Sequence, residues 1–355
     1  MEDMTCDDAG AKNKYTYMYM DRMKYMKRLF GSGVVMAAAV LCTGCIDEDL
    51  SDCGLDYAID YKMQLSLSLQ DVLDKEFVTA DEKVLAGMLR EDLGSVLSDR
   101  AQKLDISFYE VDDEQLSKHS VMMPNANQLS VTFYMDRGDY HNIALASTST
   151  DGDLNISGSS LYQSISLRQP ETDTVDVHSS ALYMGYEKLT VENQSGRFFV
   201  PLYMQNAVPV LVVNKNNSPA RTVGAYVCHT ASGLMCADSV FIYQNTPVVR
   251  TVYNEAGNLV SYHSVCFPSA DEAGVRSGGT SDSDGSLWEM ELYTQLPDGK
   301  YVKNILYIKE PLLAGTMKVI KVKLTDDGEV VSDNPEVGVS VELDWKPGGD
   351  FDIEM

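Results

Sequence analysis

The residues best able to do chemistry are cysteines and histidines, seven and five of them in 355 residues. One cysteine has a setting of its own. Cys45 closes the run Leu41-Cys42-Thr43-Gly44-Cys45, with small residues just before it and Ile46-Asp47-Glu48-Asp49 just after it. Cys53, Cys228, Cys236 and Cys266 lie downstream. Outside the cytoplasm, four cysteines could form two disulfides with three connectivities. Cys228 and Cys236 are the candidate disulfide, because Ser232-Gly233 between them can turn the chain back. A zinc site is the alternative, with His229 and His263 nearby in sequence, although the spacing matches neither CxxC nor HxxxH. Free buried thiols are the third reading.

Other constellations fall short of a site. His119, His141, His178, His229 and His263 make no HExxH, and the chain has no GxSxG and no P-loop. Asp176, His178, Ser179 and Ser180 are neighbours in sequence. Adjacent strand residues point to opposite faces, whereas a nucleophilic triad is assembled across a fold. Asp282-Ser283-Asp284-Gly285 has the form of half a calcium loop without the later bidentate glutamate. The expectation is therefore a protein that is not an enzyme, with no catalytic residue, no metal and no cofactor.

The elements around Cys45 have the order of an export signal. Lys24, Lys27 and Arg28 supply positive charge, and residues 31–41 supply an apolar stretch well short of the roughly 20 residues of a spanning helix. The segment resembles the lipobox of bacterial lipoproteins, departing from it in having Cys42 where leucine is usual, with Leu41 one place early. That resemblance implies diacylglyceryl transfer to the Cys45 thiol, cleavage before Cys45 and acylation of the new amine. Each buried methylene contributes about 0.8 kcal/mol, so three chains make an essentially permanent anchor. The acidic run after Cys45 resembles the surface-export signal of Bacteroidota-type lipoproteins. Residues 1–22 are polar and acidic, and Met23 or Met26 is the better start.

Charge narrows the partners. Residues 1–44 hold 6 basic and 5 acidic residues, which leaves 22 basic against 48 acidic and a net charge of −26. Such a surface repels nucleic acid and anionic membranes. Hydrophobic residues make up 44%, the content of a globular protein rather than a disordered one. About 310 residues after Cys45 exceed what one core usually serves. The division expected is 1–44 upstream extension and signal, 45–55 acidic tether, 56–193 first β-sandwich with a helix, and 194–355 second β-sandwich.

Patterning supports that division. Tyr57, Ile59, Tyr61, Met63, Leu65, Leu67 and Leu69 alternate with polar residues, which predicts a long half-buried strand. Thr79 and Glu82 have capping-box spacing. Val84, Leu85, Met88, Leu89, Leu93, Val96 and Leu97 then fall on one helical face, weakened by Gly87 and Gly94. Strand signals follow at 104–108, 129–134, 141–146, 181–185, 198–204, 208–213, 225–229, 239–243, 262–267, 288–296, 301–308, 318–324 and 337–345. Asn193-Gln194-Ser195-Gly196 is the expected boundary, and Pro297-Asp298-Gly299-Lys300 a turn. Many of the 20 tyrosines occupy alternating strand positions, where they pack, and exposed ones can contact glycans or proteins.

Lipobox, then Asp49-Leu50-Ser51-Asp52-Cys53, then a long alternating strand, two sandwich halves and the ending Val339-Ser340-Val341-Glu342-Leu343-Asp344-Trp345-Lys346-Pro347-Gly348 together resemble the fimbrillin-associated anchor subunits of Bacteroidota-type fimbriae. The resemblance implies a mainly-β fold of two tandem transthyretin-like sandwiches, the first with an inserted helix. It also implies a palmitate-bearing lipoprotein of the outer membrane, at the cell surface, that serves adhesion and pilus assembly by holding a fimbrium and limiting its length. The partners implied are other fimbrial subunits, joined by strand addition to an open sheet edge. Shaft subunits of the family lose their first strand to a protease. Here the Tyr57–Leu69 strand follows the tether so closely that it is expected to stay in place. Arg90, Arg100 and Arg137 are the basic residues at which a trypsin-like protease could cut. The alternative function is a surface lipoprotein that binds a glycan or host protein.

Overall fold

The alternation after the tether builds β1 (Tyr57–Ser66), with Ile59, Tyr61, Met63 and Leu65 buried and Lys62, Gln64 and Ser66 facing solvent. The computed structural model describes residues 56–66, 69–124, 130–150, 155–271 and 285–345. Cys45, Cys53, the tether and Asp282 to Asp284 lie outside the described residues.

Two helices follow, α1 (Gln70–Glu76) and α2 (Ala80–Asp92). The Thr79 side chain accepts from the Glu82 N–H while the Glu82 carboxylate accepts from the Thr79 N–H, so the capping box is complete. Leu85, Ala86 and Leu89 are buried, and each leucine contributes roughly 1.5–3 kcal/mol by leaving water. Val84, expected on that face, is exposed. The helix ends at Asp92, just before Gly94, so Val96 packs from the turn that follows.

Strands then dominate, and the fold is mainly β. In chain order they are β2 (Lys103–Glu110), β3 (Leu116–Met122), β4 (Ser130–Met135), β5 (Gly138–Ser147), β6 (Asn155–Ser157), β7 (Ser166–Arg168), β8 (Thr174–Val175), β9 (Leu182–Val191) and β10 (Gly196–Met204). The later set is β11 (Val208–Asn214), β12 (Arg221–Cys228), β13 (Gly233–Met235), β14 (Val240–Ile242), β15 (Val248–Arg250), β16 (Val252–Ala256), β17 (Leu259–His263), β18 (Trp288–Gln295), β19 (Tyr301–Ile308), β20 (Met317–Leu324), β21 (Val330–Ser332) and β22 (Val337–Trp345).

The first sheet has the order β3-β2-β5-β9-β10-β1-β4. It folds over at the β9–β10 seam, where only Tyr203↔Met184 and Met204↔Tyr183 are in register. Pro201 of β10 has no N–H to give to a ladder, and Gly185 of β9 lets the two backbones approach. A Cβ on Gly185 would lie 2.5 Å from the Pro201 carbonyl oxygen. The two leaves face each other across a core in which Phe108 of β2 meets Phe133 of β4 edge-on at 5.1 Å. The Lys118 ammonium of β3 donates to the Tyr134 carbonyl of β4, tying the two edges together.

The second half pairs β16-β17-β11-β20-β21 against β22-β19-β18-β12-β15-β8. Leu211, Val213, Met290, Leu292, Leu306 and Ile320 fill the space between. A small sheet, β14-β13-β7-β6, covers the outer side of β5 and β9 through Leu167 and Leu234, with Phe267 from the segment after β17 in the same cluster, against Ile143, Leu182 and Met184. The expected turn at Asp298-Gly299 is present, with Gly299 at φ 85° and the Leu296 N–H donating to the Lys300 carbonyl 2.8 Å away.

The boundary expected at 193/194 falls between β9 and β10, which are neighbours in one sheet. β11, which follows Gln205-Asn206-Ala207, pairs in a different sheet, and the earlier β8 already pairs with β15 of the second half. Val208, Val210 and Val212 of β11 join the core of the first half, and Leu211 and Val213 join that of the second.

Candidate functional site

Strand β1, the first described strand after Cys45 in sequence, sits inside the sheet. On one side it runs parallel to β10, from Ile59↔Gly196 to Ser66↔Tyr203. On the other it runs antiparallel to β4, from Tyr57↔Met135 to Lys62↔Ser130. Tyr61 fixes it from below. This fully buried ring meets Phe108 at 5.8 Å, Phe133 at 5.4 Å and Phe198 at 5.5 Å. Its hydroxyl donates to Asn142 Oδ1 at 2.7 Å, and Asn142 Nδ2 donates to the Ser107 carbonyl at 3.1 Å. Burial holds the Tyr61 hydroxyl protonated far above the usual phenol range. Strand β1 is thus placed by its two neighbours and by a hydrogen-bonded aromatic cluster.

The join to the second sandwich is also held tightly. Asn206 and Ala207 are fully buried and Gln205 nearly so. Asn206 Oδ1 accepts from the Leu182 N–H at 2.5 Å, Asn206 Nδ2 meets His178 Nδ1 at 2.8 Å, and the Asn206 carbonyl accepts from the Gly315 N–H at 2.7 Å. The Ala207 N–H donates to the Cys266 carbonyl at 2.8 Å and the Cys266 N–H returns a bond at 3.1 Å.

A second brace links α1 and α2 to β20. The Lys321 ammonium donates to the Glu76 carbonyl at the end of α1 and to Glu82 Oε1 at 2.9 Å, and lies 5.6 Å from the Phe77 ring centroid. A cation at a helix C-terminus and a carboxylate in a first helical turn both suit the helix dipoles. Burial pushes the Glu82 carboxyl up, but the Thr79 N–H and the Lys321 ammonium outweigh it and bring the group down to about 2. Further along α2, Asn254 Nδ2 of β16 donates to Asp92 Oδ2 at 2.6 Å.

Sheet edges are the surfaces at which another chain could add a strand. Among the described residues β22 pairs only with β19, so nine residues present an outer edge. The edges β3 and β4 carry the Lys118 tie. On the outward face of β10, β1 and β4, the aromatic side chains of Phe199, Tyr203 and Tyr134 are each more than half exposed.

The candidate chemical residues are not gathered together. His119 pairs with Asp105 at 2.9 Å, and His141 lies 2.9 Å from the Tyr186 hydroxyl while stacking on Tyr162. His178 sits between Gln169 and Asn206, whereas Asp176 faces Arg250 at 3.5 Å. His229 is 3.5 Å from Glu289 and His263 3.9 Å from Asp92. Among the described residues no group of three or more His, Cys, Asp and Glu side chains could hold a metal ion. Arg90 pairs with Asp74 and Arg100 with Asp99, as solvated surface arginines do.

Cys228 and Cys236, the expected disulfide, are separate buried free thiols, as is Cys266. The reason is topological. β12, ending at Cys228, pairs with β15 and β18, whereas β13, just before Cys236, pairs with β7 and β14. Gly233 therefore starts a strand of a different sheet and does not fold the chain back on Cys228. Burial pushes the Cys236 thiol up to about 12.

Sequence reasoning missed α1, the Asn206 join and the Lys321 brace. The first had a readable signal, since Leu69, Leu73 and Phe77 are spaced by four and all are buried. The other two depend on partners far apart in the chain.

No protein-family model matches the sequence, and no curated protein matches it. Solved structures do. The chain is similar to the fimbrial anchor protein Mfa2 of Porphyromonas gingivalis at 10% identity and a TM-score of 0.45, over 81% of this chain and 99% of that one. It is similar to the tip fimbrial protein Mfa3 of the same organism at 12% identity and 0.43, over 82% and 100%. A candidate adhesin from Bacteroides ovatus aligns at 10% identity and 0.49, over 84% and 97%. Two fimbrial proteins and a candidate adhesin thus stand among the similar structures. At these identities and scores no residue role passes from them to this chain.

Proposed function

We propose that this chain is a lipid-anchored subunit of the cell surface that tethers a fimbrium at the outer membrane and limits its length. Lipid on Cys45 would hold it to the membrane. Other fimbrial subunits would join by strand addition, with the outer edge of β22 as the acceptor. The observation that carries the reading is the continuity between the two: a cysteine in a lipobox-like setting, a short acidic tether, and then β1, locked between β10 and β4. An anchor needs its tethered end held firmly, and an intact first strand leaves no groove open at the membrane side.

The test is Cys45→Ala. The wild-type chain should label with a palmitate analogue and fractionate with membranes, and the variant should do neither. Loss of the protein should give shed or abnormal fibres. A variant that still labels and stays on the membrane would overturn the reading. The exposed Phe199, Tyr203 and Tyr134 favour a second reading, capture of a glycan or host protein, because aromatic rings bind such surfaces through an apolar face and a polar rim. Affinity for a soluble glycan, lost in Phe199→Ala/Tyr203→Ala, together with normal fibres in cells lacking the protein, would support it over the first.

A further inference from the structure

We infer that each sandwich contains a mechanical clamp, and that the two clamps lie in series along the chain, so that the protein is built to carry tension between its two ends. This rests on the anchoring reading for its biological setting, since a tethered fibre subunit is pulled from both sides.

The argument starts from strand direction. Tension enters at the N-terminal end of β1, where the tether joins, and leaves through the C-terminal end of β10, where the chain continues at Gln205. These strands are adjacent and parallel over eight registered pairs, Ile59↔Gly196 to Ser66↔Tyr203. The two loaded ends therefore lie at opposite ends of the pair. Separation requires β1 to slide along β10, and sliding breaks the whole set of interstrand bonds together. In an antiparallel hairpin loaded at its open end, the bonds break one after another instead.

The same device recurs in the second half. The chain leaving β10 enters β11 at its N-terminal end, Val208, and β11 runs parallel to β20 over seven pairs, Val208↔Met317 to Asn214↔Lys323. From the far end of β20 the chain goes on to β21 and β22. Load from the C-terminal side reaches this pair once β22, held to β19, and β21 have been released, and the loaded ends then lie at opposite ends of a parallel pair.

Burial strengthens both clamps, because a hydrogen bond shielded from water has no competing partner at the moment it stretches. Tyr61, Val200 and Leu202 lie under the first pair, and β11 from Val208 to Val213 is buried on both faces. The link between the clamps has little slack, since Gln205, Asn206 and Ala207 are hydrogen-bonded to Leu182, Gly315 and Cys266. Load leaving the first clamp thus passes to the second.

Single-molecule stretching of the full chain tests this. With handles at the two termini, rupture should need at least about twofold more force than with handles at Asp113 and the C-terminus, where the edge hairpin β2–β3 is peeled bond by bond. The double variant Lys62→Cys/Phe199→Cys adds a second reading. These residues are registered partners with exposed side chains, at a spacing that a disulfide spans. Oxidation should reduce the length released at rupture, and reductant should restore it. Equal forces in the two pulling directions, or a released length unchanged by the crosslink, would overturn the clamp. Failure of lipid labelling would overturn the anchor and leave the clamp standing, so the two ideas fail separately.

Discussion

Tyr61→Phe removes one oxygen from the protein and leaves every ring contact of the β1 cluster in place. What it takes away is the bond to Asn142 Oδ1, 2.7 Å long between two fully buried side chains. The amide oxygen then loses its donor in a site closed to water. A net hydrogen bond contributes about 0.5–1.5 kcal/mol, and a buried acceptor left alone costs about 1–3 kcal/mol, so the substitution should destabilise by about 1–3 kcal/mol. Asn142→Leu should cost a similar amount, because it strands the Tyr61 hydroxyl and also takes a donor from the Ser107 carbonyl. The double variant Tyr61→Phe/Asn142→Leu should recover much of the loss, since removing both partners leaves no orphan at the broken bond. Urea denaturation of the four proteins closes the cycle. With a slope near 3 kcal/mol per molar for a chain of this size, each single variant should lower the midpoint by roughly 0.3–1 M. A Tyr61→Phe midpoint equal to wild type, or a double variant as weak as the sum of the singles, would refute the claim that this bond holds β1.

Three other outcomes follow from the geometry. Glu82 is held at about 2 in the folded chain against an ordinary value near 4.5, so its contribution is full above pH 4.5 and fades as pH falls towards 2; the stability read from urea melts should fall across that window in wild type and less so in Glu82→Gln, the difference being about 3 kcal/mol at most. Burial pushes His263 down to about 4, with Asp92 only partly opposing it, so the neutral ring favours folding above pH 6.5 and that stability drains away between pH 6.5 and 4; an NMR titration should place this imidazole near 4, and His263→Gln should remove the corresponding slope. Gly185→Ala would drive a methyl group to 2.5 Å from the Pro201 carbonyl and 2.6 Å from Val200 Cγ1, and should destabilise by about 1–3 kcal/mol in thermal or urea melts, whereas Gly87→Ala, with nothing within 4 Å, should stabilise α2 by up to about 1 kcal/mol.

The local grammar of this protein is written in its sequence. Strand β1, the capping box at Thr79 and Glu82, and the turn at Asp298-Gly299 were legible because each depends on residues within a few positions of one another. The setting of Cys45 is likewise a local pattern, of charge, apolar length and small side chains. Pairing is different. Every strand offers the same backbone N–H and C=O groups along its edge, so nothing local says that β1 chooses β10, or that they run parallel. That choice comes from which side chains can share a core: Tyr61 meets Phe133 and Phe198 once β4 and β10 lie beside β1, and Phe108 only once the sheet has folded over. Ser232-Gly233 had the composition of a turn, yet Gly233 was claimed by β7 and β14, which left Cys228 and Cys236 in different sheets. The crossing at Asn206 and the Lys321 brace likewise join partners far apart in the chain. Sequence alone determined most of the strands and the capped helix α2, because alternation and capping are local. Tertiary structure decided which edges meet, because packing selects among backbone partners that are chemically alike.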